Sequence, residues 1–240
     1  MPIRENLEVV RQRISRACER SGRDPSGIVL VAVSKNQPAD RIQEAVNSGL
    51  TVFGENRIQE AKAKIPLCPG RARWHFIGHL QSNKVRDAVS LFDMIHSVDS
   101  LELGSELQKQ AEKQAKTLRV LLEVNVAGES SKFGWNPERV VAELSAINRF
   151  TRLELHGFMT VAPYAVDPEK VRPIFRRLRE LRDQCSQQLG APLPELSMGM
   201  SGDLEVAIEE GATILRVGTA LFGERPRLKK KEPIESDHID

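Results

Sequence analysis

Cysteine is scarce in this sequence: Cys18, Cys68 and Cys185 stand far apart and share no repeated spacing. That pattern argues against a disulfide framework or a zinc site, and it suits thiols in a reducing cytoplasm. An excess of one charge is also missing. The formal net charge is +2, with acidic and basic residues mixed along the chain, so nothing marks a nucleic-acid surface. No stretch approaches the roughly 18 apolar residues of a membrane span. The opening Met1-Pro2-Ile3-Arg4-Glu5-Asn6 is charged where a signal peptide needs an apolar core. Tyrosine occurs once, at Tyr164, in a context that reads as a loop. Residues 226–240, with Lys229-Lys230-Lys231, are polar and poor in apolar side chains. They read as a disordered, solvated tail, its lysines being the one feature suited to an acidic partner.

What is present is alternation. Ile3, Leu7, Val10, Ile14 and Ala17 recur at helical steps. After this first helix come short apolar runs at 28–33, 51–53, 74–77, 94–98, 118–126, 153–158, 194–198 and 213–217. Helical patterns at 38–47, 57–65, 82–90, 101–116, 137–148, 168–189 and 203–210 lie between them. About eight strands separated by helices predict an α/β fold, a single (β/α)8 barrel of TIM type with an extra N-terminal helix, over residues 1–225. A doubly wound sheet is the alternative. The barrel is favoured because polar residues fall at the end of nearly every strand: Lys35, Glu55 and Asn56, His79, Ser97, Asn125, Thr160, Ser201, then Arg216 and Thr219. In a barrel these gather on the one face where active sites lie.

Two features carry chemistry. The first is Lys35, which comes after six apolar residues and Ser34. Alone it is a lysine in a strand-to-helix loop. Desolvated at a barrel mouth, its amine is suited to Schiff-base formation. The second is Ser201-Gly202-Asp203 and Gly218-Thr219, after the seventh and eighth strands, where barrels commonly bind phosphate. Small residues bare their N–H groups there, and Ser201 is expected to cap the helix that starts near Asp203. An amine partner and a phosphate cradle together point to pyridoxal 5′-phosphate. Arg216 either pairs with a surface carboxylate or points inward at the ring. Inward, a guanidinium only donates, so it would face an unprotonated pyridine nitrogen and leave the ring a weak electron sink. Asn56 reads equally as a helix cap or a ligand contact. His79 reads as an acid–base group or a structural rim residue, and His156 as a core residue.

These motifs resemble the family of pyridoxal phosphate homeostasis proteins, the single-domain relatives of the alanine racemase barrel. The resemblance rests on Ala32-Val33-Ser34-Lys35, Phe53-Gly54-Glu55-Asn56, the segment 74–84, His156-Gly157-Phe158-Met159-Thr160 and the segment 197–223. It implies a monomeric barrel with the cofactor in an internal aldimine on Lys35. It also implies phosphate contacts from Ser201, Gly202, Gly218 and Thr219, and Arg216 beside the ring nitrogen. The family often has Thr where this chain has Asn36. Members are regarded as binders and regulators of the cofactor pool in vitamin B6 and amino-acid homeostasis, without established turnover. Racemases of this fold type add a second β domain and a tyrosine from a partner subunit, for which this sequence offers no marked counterpart. Three functions therefore stand side by side: a reversible cofactor carrier that serves apoenzymes, a racemase or lyase of low activity, and a regulatory interaction protein.

Overall fold

The computed structural model describes residues 2–68, 70, 72–129 and 131–223. The expected tail, 226–240, lies outside them. Helix α1 (Ile3–Ser21) comes first, then β1 (Val29–Val33), α2 (Ala39–Asn47), β2 (Val52–Glu55), α3 (Ile58–Lys64) and β3 (Arg73–Phe76). Next come α4 (Val85–Leu91), β4 (Met94–Val98), α5 (Leu101–Lys113), β5 (Leu118–Glu123), α6 (Pro137–Ile147) and β6 (Leu153–Met159). The order finishes with α7 (Arg172–Leu189), β7 (Glu195–Ser197), α8 (Leu204–Glu209), β8 (Ile214–Val217) and α9 (Thr219–Phe222). Each strand pairs in parallel with the next, and β8 pairs with β1. The closed ring rules out the doubly wound sheet.

Strand residues alternate between two faces, and this alternation splits the core. Phe53, Trp74, Phe76, Ile95, Leu122, Phe158 and Leu215 belong to the large cluster between barrel and helices. Val31, Val52, Met94, Leu121, Met159 and Ile214 form a separate, smaller cluster inside the barrel. The predicted stripe on α1 is buried, with Cys18 added to it. Helix α1 ends at Gly22, whose φ of 64° is the left-handed cap conformation that glycine takes most easily. It packs on α8 and α9, next to the β8–β1 seam. There Arg13 pairs with Glu205 at 2.6 Å and donates to the Ser201 carbonyl at 3.0 Å.

Two features of the strands bear on the sequence expectation. The apolar run 118–126 ends as a strand at Glu123, because Trp135 turns back on it. Trp135 donates its N–H to the Glu123 carbonyl, and Asn125 donates to that of Trp135. In β6 the pairing with β5 skips His156, passing from Leu155 to Gly157. That bulge leaves His156 half-buried beside Glu154 at 3.4 Å, so it is no core residue. Among the described residues no helix is long and apolar enough to cross a membrane, and no cluster of His, Cys, Asp or Glu is placed to hold a metal.

Gly157 has φ of 152°, and a Cβ there would overlap the Glu195 carbonyl of β7. Gly157→Ala must push two paired backbones apart, with an expected loss of about 3 kcal/mol or more in denaturant unfolding. Gly22→Ala, where a Cβ meets nothing within 4 Å, should cost only about 1–2 kcal/mol from its backbone conformation. Equal losses at the two glycines would contradict the overlap at the bulge.

Candidate functional site

Lys35 stands in a tight turn one residue beyond Ser34, itself directly after β1. The turn is pinned on both sides. Ser34 is fully buried and donates its hydroxyl to Glu55 Oε1 at 2.7 Å. Lys64 Nζ donates to the Ser34 carbonyl at 2.9 Å, to Glu55 at 3.0 Å and to Glu60 at 3.1 Å. Glu60 in turn accepts the Asn36 N–H at 2.9 Å. Asn36 has φ of 60°, a conformation asparagine tolerates better than most side chains. Burial pushes the Glu55 carboxyl up, while the Ser34 hydroxyl and the Lys64 cation oppose the rise.

The opposite wall comes from the turns after β7 and β8. Ser201 does not cap α8, whose first turn receives no side-chain cap. Its Oγ instead accepts the Ala220 N–H at 3.2 Å, which ties the two turns together. Asp203 holds the same turn by accepting the Met200 N–H at 2.6 Å. A Cβ on Gly202 would meet nothing within 4 Å, so this stretch of backbone lies bare. Thr219 opens α9, and an N–H at that position has no intrahelical acceptor.

Arg216 forms the floor. It is 5% exposed. Its Nη1 donates to the carbonyl and the Oγ of Ser197, both at 2.7 Å, and its Nη2 donates to the Thr160 carbonyl at 2.8 Å. Burial lowers the guanidinium to about 10, against the raising effect of Glu123 and Asp203, and it stays protonated at neutral pH. The expectation of an inward arginine holds, and the surface-carboxylate alternative does not. Below it, His96 Nδ1 lies 3.0 Å from Ser197 Oγ, and His96 Nε2 lies 3.0 Å from His75 Nδ1.

Lys35, Asn56, Ser201, Gly202, Arg216, Gly218 and Thr219 all line one cavity of about 560 Å³. Its size suits a small cofactor. Asn56 Oδ1 is buried without a hydrogen-bond partner among the described residues, so the wall holds an acceptor that a ligand can satisfy. Gly78 makes room for it, since a Cβ there would overlap the Asn56 carbonyl. A lysine, bare loop backbone, a buried cation and an unused acceptor fit pyridoxal 5′-phosphate. His79 is not among the lining residues. It stacks on Phe133 with ring centroids 3.6 Å apart and lies 3.2 Å from Asp99.

Sequence reasoning misses Thr160 as an anchor for Arg216, and it gives Ser197, His96 and His75 no role, although Ser197 and His75 stand within its quoted motifs. It marks Ser97, which is fully buried and leaves its Oγ without a partner among the described residues. The signal was available: a polar side chain two residues from an inward apolar one, as His96 is from Met94, shares its face.

Residues 3–226 match the family model described as the N-terminal domain of alanine racemase. The pyridoxal phosphate homeostasis protein of Aquifex aeolicus is 47% identical over 222 residues, which are 92% of this chain and 97% of that one. Among solved structures, PipY of Synechococcus elongatus with PLP bound has a TM-score of 0.79 at 39% identity, over 88% of this chain and 100% of that one. Alanine racemase of Clostridium difficile shares the fold, with a TM-score of 0.75 at 16% identity over 94% of this chain and 57% of that one. The closed barrel, with lysine and arginine at its mouth, is of the alanine racemase N-terminal class. Within that class, the chain belongs to the pyridoxal phosphate homeostasis protein family.

The buried histidines make stability depend on pH. Burial, with Arg73 and Arg119 nearby, lowers His75 from 6.5 to about 4. Between those values the unfolded chain binds a proton that the folded protein refuses, so the stability His75 contributes is present above pH 6.5 and lost as pH falls toward 4. The loss amounts to about 3 kcal/mol. His75→Gln, which keeps an acceptor for His96, should remove that part of the acid limb when unfolding free energies at about pH 7 and about pH 4 are compared. An unchanged limb would show that His75 is not held neutral.

Proposed function

We propose that this protein binds pyridoxal 5′-phosphate reversibly at the barrel mouth and regulates its supply, without rapid turnover of an amino acid. The observation that carries the reading is the convergence of a lysine, a phosphate cradle and a buried cation on one cavity. Pyridoxal phosphate supplies an aldehyde that takes up a primary amine. Lys35 presents that amine from a turn locked on both sides. Ser201, Gly202, Gly218 and Thr219 receive the phosphate by hydroxyl and N–H donation. Asn56 contributes its unused acceptor. Arg216 has five N–H donors, of which three are committed to the protein. The other two are left for a ligand in the cavity that Arg216 lines, and as a permanent cation it favours a ring nitrogen that accepts.

The same reading has a cytoplasmic monomer that passes the cofactor to apoenzymes or answers to a regulatory protein. A racemase needs a second acid–base group opposite its lysine. Tyr164, the single tyrosine of the sequence, is 92% exposed at the rim, where water reaches it freely. An open mouth favours exchange over fast chemistry, which needs water excluded.

Borohydride reduction of the loaded protein, with peptide mapping of the product, should place the adduct on Lys35, and Lys35→Ala should abolish it. An adduct on Lys84 instead would overturn the assignment. Loaded protein should yield its cofactor to an apoenzyme without denaturation. Turnover at or above about 1 s⁻¹ on any L- or D-amino acid, within the ordinary enzyme range, would replace this reading with an enzyme.

The phosphate end is tested separately. Losing one hydrogen bond to a charged group costs about 1.5–3 kcal/mol, roughly ten- to a hundredfold in affinity. Ser201→Ala with Thr219→Ala should therefore weaken pyridoxal 5′-phosphate far more than unphosphorylated pyridoxal. Equal losses for the two ligands would remove these residues from the cradle.

A further inference from the structure

The interior of the barrel holds a row of polar side chains that the proposed function does not use: Ser197, His96 and His75. Ser197 and His96 are 0% exposed, so water does not complete their hydrogen bonds, whereas His75, 7% exposed, is the end of the row within reach of water. Each proton on Ser197 and His96 must therefore find a protein acceptor, or be left unpaired at about 1–3 kcal/mol.

The upper end of the row sets its direction. Arg216 donates only, so Ser197 Oγ accepts from Nη1 at 2.7 Å. The Ser197 hydroxyl then needs an acceptor of its own, and His96 Nδ1 is 3.0 Å away. With Nδ1 accepting, neutral His96 carries its proton on Nε2 and donates to His75 Nδ1 at 3.0 Å. His75 in turn carries its proton on Nε2. Reversed, the row has Ser197 Oγ accepting from both His96 and Arg216, with its own proton stranded in a dry interior. Doubly protonated histidines are opposed by burial first, and then by the neighbouring cations, Arg216 among them.

Each link is neutral. The three acceptors that hold Arg216 are two carbonyls and one hydroxyl, and among the described residues no carboxylate pairs with it. The guanidinium is thus fixed in place by neutral groups, with Glu123 and Asp203 acting on it only through space.

We propose that Ser197 and His96 are positioning residues: the one-way chain from Arg216 through Ser197 and His96 to His75 sets the plane of the guanidinium, and so the direction of its two remaining donors toward the ring nitrogen of the ligand. This rests on the reading that pyridoxal 5′-phosphate occupies the cavity, and it goes beyond that reading in assigning the buried row a task at the ligand.

The test compares two ligands on the intact protein: pyridoxal 5′-phosphate and its carbocyclic analogue, in which a C–H replaces the ring nitrogen. Ser197→Ala removes one of the three tethers on Arg216 and leaves the Ser197 carbonyl in place. Affinity for pyridoxal 5′-phosphate should fall about tenfold, on the scale of one charge-assisted hydrogen bond, with a shift in the absorption band of the bound cofactor. Affinity for the analogue should change less than about twofold, and Ser197→Thr, which keeps the hydroxyl, should restore the selectivity. Equal losses for both ligands would show a merely structural role and overturn the proposal. Nitrogen-15 NMR of the unaltered protein without ligand supplies a second readout. His96 and His75 should both be neutral Nε2–H tautomers, and an Nδ1–H tautomer at His96 would reverse the chain and refute it. Failure of the unaltered protein to bind either ligand would instead sink the proposed function, with the tautomer result still deciding the chain.

Discussion

The pairing of the last strand with the first is the constraint on which the site depends. Strand β8 meets β1 in parallel, with Val31 opposite Arg216 and Ala32 opposite Val217. Both strands therefore deliver their C-terminal turns to the same end of the barrel. Lys35 arrives from one and the Gly218-Thr219 turn from the other, although nearly the whole chain separates them in sequence. The β7 turn joins through Ser201 and Ala220. Had the sheet stayed open, β1 and β8 would have been free edges, and the lysine and the phosphate cradle would have had no common wall.

Arginine is used in two opposite ways. Between α7 and α8, Arg172 and Arg176 meet Glu209 and the buried Glu210. Those are cations cancelled by carboxylates. Arg216 is buried, and its contacts are neutral oxygens. Three of its donors are held by neutral oxygens, and Glu123 and Asp203 act on its charge only through space. Such a group costs stability, and its position at the floor of a ligand cavity gives that cost a purpose.

The barrel was legible in the sequence because each strand is a short apolar run and each helix carries its own stripe. Lys35 and the residues of the two late turns were legible for a different reason: they stand at strand ends, where topology alone decides which face they join. The locking cluster of Lys64, Glu60 and Glu55 was not legible. Its members lie on α3 and β2, and only packing brings them to both sides of Lys35. The interior row was harder still. His75 and His96 sit within apolar strands, and their register across the barrel is set by closure and by the irregular pairing of β4 with β5. Asn36, a departure from the residue common in the resembling family, has a local explanation in its left-handed backbone.

Helix α1 has a consequence for the order in which the molecule assembles. It is made first, yet the elements it braces are made last: Arg13 meets Glu205, 192 positions further along the chain, and Asn6 donates to the Leu221 carbonyl. Contacts of such separation close late in folding, because their loop entropy must be met before they contribute. Until α8 and α9 exist, the apolar stripe of α1 lacks the two helices on which it mainly packs. The mouth of the barrel is thus the last region to become rigid during synthesis, and a growing chain carries its lysine turn for most of its length before the opposite wall arrives to complete a binding site.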